Sequence, residues 1–124
     1  MGRFYSGDIN GKFWFGVQDS DDASFFGGER YEPNHIEYLF SKDDLPEIKK
    51  GIAECLHELG DNKKKLDDFF KEYVAYNDKS LVKETGILKN RVGECLVWYA
   101  RLILGEKILK QVEKSGSCEF EAEL

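Results

Sequence analysis

The sequence predicts an α+β fold: a mostly antiparallel sheet, built from an N-terminal hairpin, the strands that follow it and a C-terminal strand, with about three helices packed on one face. Three observations predict it. Ten of the seventeen aromatic residues fall in the first 40 positions, alternating with small or polar residues at the period of two that strands impose. From Ser41 the apolar period lengthens to three and four, which gathers those residues on one stripe of a helix. In the tail, Cys118, Phe120, Ala122 and Leu124 alternate with Glu119, Glu121 and Glu123, the pattern of a half-buried strand with a charged outer side.

Arg3 to Ile9 and the segment beginning at Lys12 read as the arms of a first hairpin joined by Asn10-Gly11, because Asn-Gly tolerates the positive φ of a tight type I′ turn. Phe13, Phe15 and Val17 then share one face, and Lys12, Trp14, Gly16 and Gln18 the other. Asp19 to Ala23 forms a polar loop, Phe25 and Phe26 a short apolar segment ended by Gly27-Gly28, and His35 to Phe40 another strand.

Leu45, Ile48, Ile52, Cys55, Leu56 and Leu59 form the stripe of the first helix, with Asp43 or Asp44 as its cap, Pro46 in its first turn and Gly60 as its stop. Asp61 caps a second helix whose stripe is Leu66, Phe69, Phe70 and Tyr73, leaving Lys63, Lys64 and Lys65 to water. After a short helical turn at Ser80 to Glu84, a long helix runs from about Leu88 to Lys114. Its middle, Leu96 to Leu104, is apolar nearly all round, so it is expected at the centre of the fold, with a buried strand as the rival reading. The terminal strand returns to the sheet, its glutamates discouraging edge-to-edge association.

A chain of 124 residues, 41% apolar and 34% charged, has the size and composition of one domain with one core, taken as 1–124. Its 18 basic and 24 acidic residues give a net charge of −6, which repels polyphosphate and disfavours nucleic acid as a partner. Cys55, Cys95 and Cys118 are widely spaced and odd in number, as for reduced core residues. No apolar run reaches a bilayer-spanning length, so a cytoplasmic protein without membrane association is expected. Met1, Gly2 and Ser6 match the pattern for amino-terminal acylation, but Arg3, Phe4 and Tyr5 fit it poorly.

No catalytic residue, metal site or cofactor is assigned. The acidic loop Asp19-Ser20-Asp21-Asp22 offers oxygen ligands to a hard cation, yet Ser24 and Arg30 stand where a calcium loop needs glycine and glutamate, so a solvated loop is the simpler reading. His35 and Glu37 fall on one side of a strand as a metal pair or acid and base. His57, beside Glu54 and Glu58 on the first helix, completes no zinc set with them. The cysteines lie on apolar stripes, no nucleophile elbow is present, and Gly27-Gly28 lacks the lysine and spacing of a phosphate loop.

What remains is a surplus of aromatic residues. The sequence therefore suggests a non-enzymatic interaction domain, self-associating or bound to another protein, with Tyr5, Trp14, Tyr31 and Tyr38 as contact candidates on an aromatic sheet face. An alternative is a binder of a small molecule or single-stranded nucleic acid on the same rings. A third reading is a metal-dependent enzyme using Asp21, His35 or Glu37. The opening Met-Gly-Arg-Phe-Tyr-Ser-Gly-Asp, the Phe-Trp-Phe-Gly-Val-Gln strand and the closing Cys-Glu-Phe-Glu-Ala-Glu-Leu resemble small uncharacterised proteins of marine environmental or phage-like origin. That resemblance implies a small accessory protein and brings no activity, cofactor or catalytic residue.

Overall fold

The computed structural model describes residues 3–14, 17–31, 36–72 and 78–123, the side chains of Glu29, Tyr31 and Asp78 excepted. Among the described residues five strands, β1 (Phe4–Gly7), β2 (Gly11–Lys12), β3 (Glu29–Tyr31), β4 (Ile36–Ser41) and β5 (Ser117–Ala122), form one antiparallel sheet in the order β2-β1-β5-β4-β3. Among the described residues four helices, α1 (Leu45–Leu59), α2 (Asn62–Glu72), α3 (Asp78–Thr85) and α4 (Lys89–Ser115), complete the α+β fold, one more than the apolar stripes suggested. The extra one is α3, read from the sequence as a single turn.

The first hairpin exists but is not the one expected. Tyr5 pairs with Gly11 and Phe4 with Lys12, so Asn10 and Gly11 are not the centre of a tight turn. Among the described residues no non-glycine has positive φ, which removes the type I′ geometry for Asn10. The second arm stops after two residues. The Trp14 carbonyl then accepts from the amides of both Val17 and Gln18, bonds that a continuing strand would not make. Phe15 and Gly16 lie outside the described residues.

Helix ends follow the chemistry of their residues. Ser41 and Asp44 form a reciprocal capping box across the 3-10 turn Lys42–Asp44 that leads into α1, with the Ser41 amide donating to Asp44 Oδ2 at 2.9 Å. Gly60 ends α1 at φ 55°, its amide donating to the Leu56 carbonyl. Gly116 ends α4 in the left-handed region and turns the chain directly into β5.

One hydrophobic core lies between the sheet and the helices. Tyr5, Ile36, Tyr38, Phe40, Cys118, Phe120 and Ala122 point inward from the strands, and the rings of Tyr38, Phe40 and Phe120 stack. α4 packs on α1, α3 and the sheet, burying Leu96, Tyr99, Leu102, Leu104 and Ile108 on several sides, which explains its apolar middle. A 3-10 turn at Asp22–Phe26 seats Phe26 between α1 and α4, against the bare backbones of Gly51 and Gly105. Among the described residues no helix is long and apolar enough to cross a membrane.

β5 occupies the middle of the sheet, paired with β1 on one side and β4 on the other. Its glutamates therefore do not guard an edge, as the alternation alone suggested. They lie at the centre of the sheet's outer side.

Candidate functional site: the open face of the sheet

Among the described residues the helices cover one face of the sheet only. On the other, alternation brings out Phe4 and Ser6 from β1, Lys12 from β2, Glu37 and Leu39 from β4, and Glu119 and Glu121 from β5. Phe4 is 48% and Leu39 40% exposed, two of the few large apolar side chains in water among the described residues. The register sets Leu39 opposite Glu119 and Glu37 opposite Glu121, and Glu121 is also opposite Ser6. Just past β5, Glu123 is tied to the same region by its amide, which donates to the Phe4 carbonyl at 2.9 Å.

A shallow groove of about 370 Å³ runs over Ser6, Gly7, Asp8, Glu119, Phe120 and Glu121. Its floor is fixed by backbone. The Asp8 amide donates to the Glu119 carbonyl at 2.8 Å, and the Glu119 amide donates to Asp8 Oδ2 at 2.9 Å. Gly7, at φ 146°, makes this approach: a Cβ there would stand 2.5 Å from the Glu119 carbonyl oxygen. Lys12 bends its ammonium over the Phe4 ring, 5.9 Å from the centroid.

The face is acidic where an aromatic one was expected. Tyr5, 4% exposed, packs on Phe13 and Phe120 and accepts a hydrogen bond from Lys107 Nζ at 2.8 Å. Tyr38, 1% exposed, stacks on Phe120 and shares a hydrogen bond of 2.7 Å with Ser24 Oγ. Burial raises the Tyr38 hydroxyl above its usual pKa, against the opposing pull of Ser24 and Arg30. Both tyrosines are core residues, a correction to their reading as contacts, because strand parity turns them toward the helices.

Trp14 leaves the sheet with the turn that follows β2 and meets Phe70 and Tyr99 edge-on at 5.3 and 5.9 Å. It is half-buried against α2 and α4, on the helix side. The Tyr31 side chain lies outside the described residues. No described ring other than Phe4 stands on the open face, so the stacking platform for bases or small molecules is not found among the described residues.

The acidic loop is a correction of another kind. Asp22 is not solvated: Gln18 Nε2 and Arg101 Nε each donate to its carboxylate at 2.8 Å, and it is 8% exposed. Asp21 lies beside Arg30 at 3.9 Å on the helix side of the sheet, whereas Glu37 faces outward. His35 and Gly2 lie outside the described residues. Among the described residues no group of three or more His, Cys, Asp or Glu side chains converges on one point.

Other reactive groups serve the fold. All three cysteines are buried and free. Burial pushes the thiols of Cys55 and Cys118 up to about 12 and raises that of Cys95, where Asn62 opposes it by donating to the sulfur. A thiol near 12 is roughly one part in ten thousand thiolate at pH 8. Native protein is therefore expected to leave an aromatic disulfide reagent almost unreduced, with three equivalents released in denaturant. Rapid native labelling of any of them would contradict this packing. On α2, burial alone would raise Asp67, but hydrogen bonds from Lys63 and Tyr99, each 2.6 Å, outweigh it and hold the carboxyl below its usual range. A nearby depression of about 250 Å³ is lined by Lys65, Asp68, Phe69, Glu72, Glu84 and Thr85, its four charged side chains exposed to water.

The central position of β5 is what local pattern could not reveal. The tail's alternation gave the side on which its glutamates stand, but not that Glu37 and Leu39 would be brought alongside them. No family model matches the chain, and no curated protein or solved structure matches it, so the open face is interpreted from its own residues.

Proposed function

We propose that this chain is a non-enzymatic interaction domain that docks another protein on the open face of its sheet. One observation carries the reading: the sheet face turned away from the helices puts Phe4, 48% exposed, and Leu39, 40% exposed, into water among glutamates. Exposed apolar groups inside a polar surround are the usual composition of a contact patch. The buried thiols and the dispersed carboxylates support binding over catalysis.

The partner is a different chain. Two copies stacked through this face would bring Glu37, Glu119 and Glu121 against one another, and like charges opposed across an interface cost several kcal/mol. Sedimentation equilibrium over a dilution series, at low and high salt, is expected to give a monomer. A dimer dispersed by Phe4→Thr and Leu39→Thr would reassign the face to self-association. The same two substitutions are expected to change stability by no more than about 0.5 kcal/mol each, as for exposed positions. A larger loss would mean that the face is covered by the protein itself and is not a docking surface.

A further inference from the structure

We infer that Asn10 is a self-modifying residue: in the folded chain its side-chain amide closes on the Gly11 nitrogen, loses ammonia and becomes aspartate or isoaspartate, which releases the outer edge of β1. The inference stands apart from the docking reading. Of the five asparagines, Asn10, Asn34, Asn62, Asn77 and Asn90, only Asn10 precedes glycine. A residue without a side chain leaves its nitrogen open for bonding to the asparagine before it. The pair does not serve the tight turn for which Asn-Gly is usually kept, since Asn10 has no positive φ and Gly11 already lies in β2.

The fold explains why each residue is there and why the two react. A Cβ on Gly11 would overlap the Tyr5 hydroxyl and stand 2.8 Å from Lys107 Nζ, so the bond between those two groups keeps position 11 bare. Asn10 is exposed, and its carboxamide is tied to Gly7 by two long bonds: Oδ1 accepts from the Gly7 amide at 3.4 Å, and Nδ2 donates to the Gly7 carbonyl at 3.5 Å. Bonds of that length are weak, so the side chain turns toward Gly11 at little cost. Lys107 Nζ also donates to the Asn10 carbonyl at 3.1 Å. That carbonyl belongs to the peptide group whose nitrogen attacks, and a positive charge on its oxygen favours the anion left when the N–H proton departs.

One bond opposes the reaction. The Phe13 amide donates to the Arg3 carbonyl, so alternation makes Tyr5 and Gly11 a hydrogen-bonded pair, and the Gly11 amide must leave the ladder first. β2 has two residues and lies at the sheet edge, so this opening is local. The Gly11 nitrogen then gives its proton to a solvent base and bonds to Asn10 Cγ. The Cγ–Nδ2 bond breaks, and ammonia leaves with a solvent proton. Water opens the cyclic imide at either carbonyl, giving aspartate when the nitrogen leaves Cγ and isoaspartate when it leaves the main-chain carbon.

Both products weaken the edge. The Asn10 carboxamide meets the amide and the carbonyl of Gly7 much as a neighbouring strand would. In aspartate an oxygen replaces Nδ2, so the Gly7 carbonyl loses that donor and faces a negative charge. Isoaspartate adds a backbone atom just before β2, which draws Gly11 and Lys12 out of register with Tyr5 and Phe4.

The test incubates the full chain at mildly alkaline pH in heavy-oxygen water and maps it by mass spectrometry. Conversion is expected at Asn10, with one solvent oxygen in each converted chain, and is expected to rise about tenfold per pH unit as the amide anion does. The chain unfolded in urea sets the unrestrained rate. The folded chain is expected to be about tenfold slower, as for local opening, whereas reaction only through global unfolding would be slowed at least about a thousandfold. That larger slowing would overturn the inference. So would equal conversion at Asn62 and Asn90, which precede Lys63 and Arg91. Asn10→Gln, which would have to close a larger ring, is expected to show no conversion. Asn10→Asp reproduces one product directly: the amides of Tyr5 and Gly11 are expected to exchange about fivefold faster than in the parent, with those of Ile48 to Cys55 unchanged. Unchanged exchange at Tyr5 and Gly11 would show that Asn10 does not hold the edge, and would overturn its release.

Discussion

Gly105→Ala is expected to lower stability by about 2 kcal/mol, or roughly 10 °C in melting temperature, although alanine is the better helix former. Two effects oppose each other. In a helix interior the exchange gains up to about 1 kcal/mol from propensity. Against it, a Cβ on Gly105 would stand 2.4 Å from Cζ and 2.5 Å from Cε1 of Phe26, and 3.2 Å from Cγ1 of Ile52. Phe26 has no room to retreat: it is fully buried, and its other side lies against Gly51, where an added Cβ would come within 2.7 Å of Cδ1. Either the ring leaves its place or α1 and α4 separate, and overpacking of this kind costs about 1–3 kcal/mol, occasionally more.

The control is to shorten the wedge. Phe26→Leu in the Gly105→Ala background is expected to be less destabilised than the sum of the two single changes, because leucine vacates the volume that the new methyl needs. Phe26→Ala alone leaves a cavity between the helices and is expected to cost about 3–5 kcal/mol. Thermal melts of the parent and the four variants test this arrangement. A Gly105→Ala protein more stable than the parent would show that propensity acts alone and that Phe26 does not occupy the crossing.

These residues mark where local pattern stops being informative. Gly51 and Gly105 interrupt helical stripes without a local reason, since the ring that requires them comes from a 3-10 turn far away in sequence. Elements whose cause is local were legible: the stripe and stop of α1 and the alternation of β5 depend on neighbours in the chain. The second arm of the hairpin was not, because the turn at Trp14 is made by backbone bonds to Val17 and Gln18 that alternation does not encode. For the site, the alternation identified the outward side of Glu119, Glu121 and Glu123, and strand order supplied the rest. Tyr5 and Tyr38 belong to the residue types that contact surfaces favour, but a one-residue difference in parity decides between core and surface.

Asp22→Asn is expected to cost about 3 kcal/mol. The Asp22 side chain is 6% exposed and its pair with Arg101 spans 79 residues of chain, so removing the charge strands a guanidinium that is itself 21% exposed. Breaking one side of a buried pair costs about 3–5 kcal/mol, and the partial exposure of Arg101 places this case at the lower end. Arg101 is also held between Phe25 and Trp98, with its guanidinium carbon 4.5 and 4.9 Å from the ring centroids, so it does not simply swing out to water. The double change Asp22→Asn with Arg101→Met is expected to be markedly less harmful than the two single changes added together. Additive losses in a denaturant-melt cycle would show that the two side chains do not act as a pair.

The same change is expected to reach the open face. Gln18 links Asp22 to the segment after β2, and Arg3, at the start of β1, donates to the Gln18 carbonyl and to Ser20 Oγ. Arg3 precedes Phe4, and its carbonyl accepts from the Phe13 amide at 2.8 Å. Loss of the Asp22 carboxylate therefore loosens the anchor of β1 before it loosens α1, whose amides are held within the helix. Hydrogen exchange on Asp22→Asn should show the amides of Phe4 to Ser6 gaining more exchange than those of Ile48 to Cys55, because local opening follows the weakest tie. Uniform acceleration across both segments would mean that the pair stabilises the whole domain evenly and that Phe4 is positioned by the sheet alone.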